Sequence, residues 1–106
     1  MSKKEDLEVY VKAIRRETKR IAFDIETNGL LDTMDKIHCI CMIDLDTYEE
    51  HSYGPEQIDE AVILIRNADY IVGHNIINFD IPAIKIVYPM FEPLGTIRDT
   101  LVMSRL

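Results

Sequence analysis

The sequence is poor in cysteine, and the placement of its two cysteines excludes two kinds of cysteine chemistry. Cys39 and Cys41 stand one residue apart within an apolar run, a spacing that fits neither a disulfide framework nor a C-x-x-C redox site. On a β-strand, residues two apart share one face. We therefore expect Cys39 and Cys41 to be small, reduced residues of the core, because unpaired cysteine is commonly buried.

Long hydrophobic runs are also absent. No stretch approaches the ~20 apolar residues that span a bilayer, and the charged start MSKKEDLE lacks the apolar middle of a signal peptide. We find no internal repeat, low-complexity tract or interdomain linker. The 106 residues, 47% of them apolar, suffice for one compact domain with its own core. We expect a soluble cytoplasmic protein with no membrane partner.

Basic residues are scarce outside the amino terminus. Residues 1–20 carry seven basic and four acidic side chains, whereas residues 21–106 carry five basic and fifteen acidic ones. An acidic body repels a phosphate backbone, which argues against broad electrostatic binding of duplex nucleic acid. Acids gathered around a bound cation are the exception, because the ion reverses the local sign.

The first segment has the periodicity of a basic amphipathic helix over about residues 4–18. Four apolar residues follow the i, i+3, i+4, i+7 spacing that places side chains on one helical face. We call them the amino-terminal stripe: Leu7, Tyr10, Val11 and Ile14. We assign residues 1–19 to this helical segment and residues 20–106 to the body of the domain.

Strand patterns follow. Ile21, Phe23 and Ile25 alternate with small or acidic residues, which predicts a strand over 20–26 with one apolar face. A nearly continuous apolar run over 36–44 and a shorter one over 49–53 complete three antiparallel strands.

The second half alternates between helices and strands. The first helix runs from Gly54-Pro55 to about Asn67, with Pro55 in its first turn, and a buried strand follows over 70–73. The next helix covers 79–87, with Pro82 in its first turn. A strand over 96–98 then leads to a final helix from Leu101, which Asp99 or Thr100 caps. A one- or two-turn helix has little stability of its own. We expect the domain to continue in another chain or to pack on a partner.

Two groups of residues are candidates for chemistry. Asp24 and Glu26 share one face of the first strand, where their like charges repel each other unless a cation lies between them. Such oxygen ligands suit Mg²⁺ or Mn²⁺. The alternative is a solvated acidic face.

The second group is the string from His74 through Asn75 to Asp80, which runs from a strand end into a helix. Open α/β sheets build their sites at such positions. The alternatives are a helix-capping role for Asp80 and loop hydrogen bonding for His74 and Asn75.

These strings resemble a known family. Ile21-Ala-Phe-Asp24-Ile-Glu26-Thr27-Asn28-Gly29-Leu30 resembles the first motif of the DEDD, or DnaQ-like, 3′-5′ exonucleases, and His74-Asn75-x-x-x-Phe79-Asp80 resembles the second. The resemblance is closest to the amino-terminal proofreading domain of family-A DNA polymerases from podophages. Three shorter strings in the same order add to it: Lys36-Ile-His38-Cys39, Asp80-Ile-Pro82-Ala83 and Asp99-Thr-Leu-Val-Met-Ser-Arg-Leu106.

The resemblance implies an α/β fold of the RNase H-like type, a mixed sheet flanked by helices with two Mg²⁺ or Mn²⁺ ions at its site. It implies that Asp24, Glu26 and Asp80 hold the ions. It also implies that Thr27 and Leu30 contact the terminal nucleotide of single-stranded DNA, whereas Asn75 and Phe79 shape the strand path. If the chain is phage-encoded, it would act in the host cytoplasm.

The family's third motif, Tyr-x-x-x-Asp or His-x-x-x-Asp, does not occur after Asp80. We therefore expect a domain truncated at its carboxyl end, weak or inactive as an isolated chain. Asp99 is a possible substitute for the fourth acid, but it matches a structural step of the family, which favours helix capping.

Two explanations stay open. In the first, a partner such as a polymerase chain supplies the missing helices and the fourth acid; Met1 and the basic helix favour this explanation, because they resemble a natural start. In the second, the chain is an inactive module that binds a polymerase or nucleic acid. An uncovered sheet face also predicts self-association or a stable partner.

Overall fold

The computed structural model describes residues 19–104, so the helix predicted over 4–18 and the last two residues lie outside the described part. The elements, in chain order, are β1 (Arg20–Thr27), β2 (Ile37–Asp44), β3 (Glu50–Tyr53), α1 (Ile58–Asn67), β4 (Tyr70–Gly73), a π-helical turn (Ile76–Asp80), α2 (Ile81–Val87), β5 (Thr96–Asp99) and α3 (Thr100–Ser104). The predicted order of strands and helices is confirmed across this range.

The five strands form one mixed sheet in the order β3-β2-β1-β4-β5. β1, β2 and β3 are antiparallel neighbours, as predicted, because short turns connect them. β4 and β5 run parallel to β1, since each is reached through a helical connection. The chain therefore has a mixed α/β fold, with the carboxyl ends of β1, β4 and β5 at one edge of the sheet.

The core lies on one face of this sheet. β1 contributes Ile21, Phe23 and Ile25, whose alternation with exposed or half-buried residues confirms the predicted apolar face. α1 buries the positions that its helical spacing predicts: Ile58, Ala61, Val62 and Ile65. These residues belong to one cluster with Ile81, Ala83 and Ile84 of α2. Burial of the isoleucine, valine and phenylalanine side chains among them stabilises the fold by about 1.5 to 3 kcal/mol each.

The expected burial of the cysteines is wrong. Cys39 is half-buried and Cys41 is exposed, because Ile40 and Met42 take the core face of β2. The β1–β2 register pairs Cys41 with Asp24 and Cys39 with Glu26, so the two cysteines lie on the open face beside the acids. Both thiols are unpaired, as expected.

Two helix starts also differ from prediction. α1 begins at Ile58, and Pro55 lies in the turn before it. The helix expected from Phe79 divides into the π-helical turn and α2, in which Pro82 occupies the first turn. Proline is accepted there because it needs no N–H partner. No helix within residues 19–104 is long and apolar enough to cross a membrane.

Candidate functional site

Asp24 and Glu26 project from the open face of β1, near its carboxyl end. Both are exposed, whereas Phe23 and Ile25 on the other face are buried. The structure thus confirms that the two acids share a face. It follows from strand geometry, in which successive side chains alternate between faces.

Asp80 approaches the same point from a distant part of the chain. β4 pairs with β1 along Arg20–Ala22. Beyond that ladder, the Ile25 backbone N–H donates to Asp80 Oδ2 at 3.2 Å. The carboxylate therefore takes the place that a neighbouring strand would fill, since a buried N–H needs an acceptor. The capping alternative for Asp80 is not supported, because its side chain makes no cap hydrogen bond to α2.

Gly73 allows this approach by ending β4 very close to β1. A Cβ at Gly73 would lie 2.7 Å from the Phe23 carbonyl oxygen, closer than van der Waals contact permits. The chain then turns through Asn75, whose φ of 61° lies in the left-handed region that asparagine tolerates. This tight turn directs the π-helical turn back over the end of β1.

The surroundings of Asp80 disfavour its negative charge. The pKa of the Asp80 carboxyl is raised to about 7, mainly by burial; the Ile25 N–H opposes the rise, and the nearby charge of Asp24 contributes to it. Asp80 is only 3% exposed. At neutral pH, a substantial fraction of the Asp80 side chains is therefore protonated unless a cation compensates the charge.

Glu26 lies beside Cys39 rather than against Asp80. Burial raises the pKa of the Cys39 thiol, and the Glu26 charge adds to the effect. Within the part of the chain that the structure describes, no three His, Cys, Asp or Glu side chains are grouped closely enough to hold a metal ion. The structure thus brings Asp24 and Asp80 together and leaves Glu26 on the adjoining surface.

Asp99 organises the loop on which the second predicted group lies. Its Oδ1 accepts the backbone N–H of Asn75 at 2.8 Å, and its Oδ2 accepts that of Ile77 at 2.9 Å. His74 Nδ1 lies 3.0 Å from Thr100 Oγ1. The loop hydrogen bonding expected around His74 and Asn75 is therefore present.

Asp99 also caps α3, as the sequence predicts. Its Oδ1 accepts the N–H groups of Leu101 at 2.9 Å and Val102 at 3.4 Å. Burial alone would raise the pKa of the Asp99 carboxyl, but these donors and those of the loop hold that pKa below its usual value. The loop-binding role was missed, because no spacing within the sequence relates Asp99 to Asn75 and Ile77.

The four predicted nucleotide-contacting residues have different surroundings. Thr27 Oγ1 donates to the Gly29 carbonyl at 2.6 Å, which closes the turn after β1. Leu30 is 71% exposed. Asn75 is half-buried, and Phe79 packs partly against the core. Thr27 ends β1 and Leu30 follows it, and Asn75 and Phe79 lie in the segment that carries Asp80.

Fold and site together define an α/β protein in which two acids, Asp24 and Asp80, lie where β1 meets the segment that follows β4. No family model matches the chain. The DNA-directed DNA polymerase of Escherichia phage T7 is 33% identical over 96 residues, which cover 81% of this chain and 14% of the polymerase. That of Enterobacteria phage T3 is 33% identical over 93 residues, which cover 78% of this chain and 13% of the polymerase.

A solved structure supports the fold. The family B DNA polymerase from the hyperthermophilic archaeon Pyrobaculum calidifontis matches 84% of this chain and 16% of its own length, with a TM-score of 0.64 and 15% sequence identity. The chain is thus similar in sequence and in fold to parts of DNA polymerases. It spans about 14% of the length of the phage polymerase that it matches.

Proposed function

We propose that the chain is a metal-dependent 3′-5′ exonuclease domain of the proofreading type, or a split subunit of a phage-like DNA polymerase. Its reaction would be hydrolysis of the 3′-terminal nucleotide of single-stranded DNA. One observation carries the proposal. The buried Asp80 carboxylate accepts the backbone N–H of Ile25, close to Asp24, and Ile25 belongs to the same strand as Glu26. The proposal includes an RNase H-like fold, with residues 20–106 as a partial exonuclease domain.

The donor set fits a hard divalent cation. Carboxylate oxygens are the ligands that Mg²⁺ and Mn²⁺ prefer. A cation between Asp24 and Asp80 would offset both their mutual repulsion and the burial of Asp80. Glu26 is exposed, so its side chain can change rotamer to complete a set of three acids.

The three acids would divide the work of holding two ions. Asp24 would contact both, Glu26 the ion on the side of the attacking water, and Asp80 the other ion, largely through water. Divalent ions, when bound, lower the pKa of the attacking water and neutralise charge on the leaving 3′ oxygen. The chain's own acids fix the positions of these charges, and no protein nucleophile is required.

The remaining predicted residues would position the substrate. Thr27, at the end of β1, and Leu30, in the turn after it, would contact the terminal nucleotide. Asn75 and Phe79 would shape the strand path, with aromatic stacking as a contribution that tolerates any base. A single strand suits the acidic body better than a duplex, because it brings fewer phosphates to the surface.

The similarity to DNA polymerases supports a polymerase chain as the partner. Residues 81–106 contain no third exonuclease motif, and we propose that the fourth acid comes from a polymerase segment outside these residues. Loss of general-base assistance costs about 10² to 10⁴ in rate. The isolated chain is therefore expected to be a slow nuclease.

A direct test is shortening of a 5′-labelled single-stranded oligonucleotide by the purified chain with Mn²⁺ or Mg²⁺. We expect stepwise loss from the 3′ end that EDTA stops and that Asp24→Ala abolishes. Glu60→Ala is the matched control, because Glu60 is an exposed acid on α1. Activity that Asp24→Ala leaves unchanged would contradict the proposal.

A second candidate is a catalytically inactive module that binds a polymerase or nucleic acid. It is favoured by the separation of Glu26 from Asp80, since residues 19–104 contain no three-ligand cluster. This candidate predicts oligonucleotide or polymerase binding without Mn²⁺-dependent shortening. Binding that Asp24→Ala does not alter would favour it over the exonuclease.

A further inference from the structure

The open face of the sheet, which is the face opposite the core, extends from the acids towards β5. Ala22 of β1 pairs with Val72 of β4, and Val72 pairs with Arg98 of β5. Paired residues of neighbouring strands project from the same face, and residues two apart along a strand share it. Arg98 therefore lies on the face that presents Asp24, two strands across and two residues along the sheet.

Arg98 is an exposed cation. Among residues 19–104 its side chain has no ion pair or hydrogen bond, a property that it shares with Lys36, and of these two only Arg98 belongs to a strand. The other basic residues of that range contact an acid or an amide: Lys19, Arg20, Arg66 and Lys85. A guanidinium without a protein partner is free to bind a phosphate through two N–H groups.

An aromatic ring lies on the same face. Tyr70 pairs with Arg20 of β1 and with Thr96 of β5. It precedes Val72 by two residues, so the two side chains share the open face. Its side chain is half-buried, whereas the next residue, Ile71, is buried in the core. The open face thus presents first the acids, then Arg98, and then Tyr70.

The spacing of these residues fits a stacked single strand. Since β-strands rise about 3.3 Å per residue and lie about 4.8 Å apart, the Cα atom of Asp24 is about 12 Å from that of Arg98 and about 14 Å from that of Tyr70. Each nucleotide of a stacked strand advances about 3.4 Å. A strand whose terminal phosphate lies at Asp24 would therefore reach Arg98 and Tyr70 within about its last five nucleotides.

The charges of the open face favour a phosphate at Arg98. A cation held by the acids can neutralise a terminal phosphate. The phosphates further along the strand would meet an acidic protein unless a basic side chain offset their charge. Ala22, Val72 and Tyr70 are uncharged, so Arg98 is placed to supply that charge beside the path between them.

We propose that Arg98 and Tyr70 bind single-stranded DNA on the open face, upstream of its 3′ end. The Arg98 guanidinium contacts a backbone phosphate, and the Tyr70 ring stacks on a base. Neither residue belongs to the strings that carry the family resemblance. The inference takes its ligand from the proposed function, but it requires no hydrolysis. A polypeptide that covers the open face is the competing occupant.

Binding of a hydrolysis-resistant strand tests the role of Arg98. The probe is a phosphorothioate-linked decathymidylate with a fluorescent 5′ end, titrated with the full chain at fixed Mn²⁺ and followed by fluorescence anisotropy. We expect Arg98→Ala to weaken binding about fivefold or more, because a hydrogen-bonded charge is lost. The slope of log K against log salt should fall in magnitude by about 0.7, the value for one phosphate contact on a single strand. Arg98→Lys should keep most of that slope.

Arg66→Ala is the matched control. It removes an exposed arginine from α1, which packs on the core face of the sheet, away from the open face. Its affinity and salt slope should equal those of the wild-type chain. Equal losses in Arg98→Ala and Arg66→Ala would indicate a general effect of net charge and would overturn the inference. Unchanged binding by Arg98→Ala would also overturn it and would favour a polypeptide on the open face.

Tyr70 variants test the stacking contact. Tyr70→Leu should weaken binding about fivefold or more, since stacking on one base is lost, and should leave the salt slope unchanged, because no charge is removed. Tyr70→Phe should keep the wild-type affinity. Equal binding by Tyr70→Leu and Tyr70→Phe would contradict stacking.

The same proteins separate this inference from the exonuclease proposal. Mn²⁺-dependent shortening of ordinary decathymidylate, together with unchanged binding by Arg98→Ala, would retain the exonuclease and reject the binding role of Arg98. Binding that depends on Arg98, without shortening, would retain the binding role and reject the exonuclease. Absence of binding by the wild-type chain would overturn the inference.

Discussion

Asp80 and Asp99 are both 3% exposed and both lie near the carboxyl ends of the parallel strands, yet their surroundings differ. Asp99 accepts backbone N–H groups from two segments, the loop after β4 and the first turn of α3. Asp80 accepts the N–H of Ile25 and faces the charge of Asp24.

The difference shows two uses of a buried carboxylate. Several donors favour the charged form of Asp99, so that side chain stabilises the fold as an anion. Burial near another acid disfavours the charged form of Asp80, so that side chain is costly until a cation or a proton compensates it. Perturbation of this kind is typical of functional sites.

Removal of the Asp99 carboxylate should have the largest effect on stability. Asp99→Ala leaves the N–H groups of Asn75, Ile77 and Leu101 without their acceptor, and a buried unsatisfied donor is expensive. We expect the thermal midpoint to fall by about 10 °C or more. Calorimetry beside Glu60→Ala checks this, and a shift no larger than that of the control would show that Asp99 is not structural.

Asp80→Asn should increase the stability of the fold in metal-free buffer, whereas Asp99→Ala decreases it. The pKa of Asp80 is raised from 3.8 to about 7, so the folded state binds the proton more tightly and wild-type stability falls as pH rises from about 4 to 7. Asparagine can still accept from Ile25 but carries no charge. We expect a gain of about 2 kcal/mol at pH 8, allowing for screening by solvent, and no gain at pH 3.5.

Urea unfolding in EDTA at both pH values measures this gain. A loss of stability at pH 8 would mean that the ionised Asp80 carboxylate stabilises the fold, as Asp99 does. The contrast between the two aspartates would then be wrong.

At acid pH, Asp80 and Asp99 should also differ in how they affect the stability of the fold. The pKa of Asp99 is lowered, so its contribution is present above the unfolded pKa and is lost as pH falls below it. In the Asp80→Asn background, stability should therefore decline as pH falls from 5 to 2, by less than the change expected for Asp99→Ala. Denaturation curves across that range test the sign, and stability that rises on acidification would contradict it.

A hydrogen bond to an exposed acid provides the smallest expected effect. The Tyr88 hydroxyl donates to Asp59 and joins α2 to α1; burial and this bond raise the pKa of Tyr88 to about 12. Tyr88→Phe should cost about 0.5 to 1 kcal/mol. Its effect should add to that of Asp80→Asn, because Asp80 and Tyr88 flank opposite ends of α2. Strong non-additivity in the double variant would show that the surroundings of Asp80 are coupled to the contact between α1 and α2.

Part of this arrangement is readable from the sequence. The alternation in β1 predicts its core face, and the same parity places Asp24 and Glu26 together on the other face. Asp99 follows a short strand and precedes a helix, a position that predicts capping. These inferences depend on residues that are close in sequence.

The rest depends on tertiary structure. The bond between Ile25 and Asp80 joins residues far apart in sequence and requires the strand register and the close approach at Gly73. β2 is apolar on both faces over much of its length, so the sequence does not show which face is exposed and therefore that Cys41 lies on it. The bonds from Asp99 to Asn75 and Ile77 likewise form only when β4 and β5 become neighbours.

Titration of Mn²⁺ followed by electron paramagnetic resonance tests the central claim most directly, because the signal of free Mn²⁺ falls as the ion binds. We expect the wild-type chain to bind Mn²⁺ at pH 8. Binding should weaken about tenfold or more, equivalent to about 1.4 kcal/mol, in Asp24→Asn and in Asp80→Asn, and should be unchanged in Glu60→Gln. Absence of binding, or equal affinity in all four proteins, would contradict a cation site built on Asp24 and Asp80.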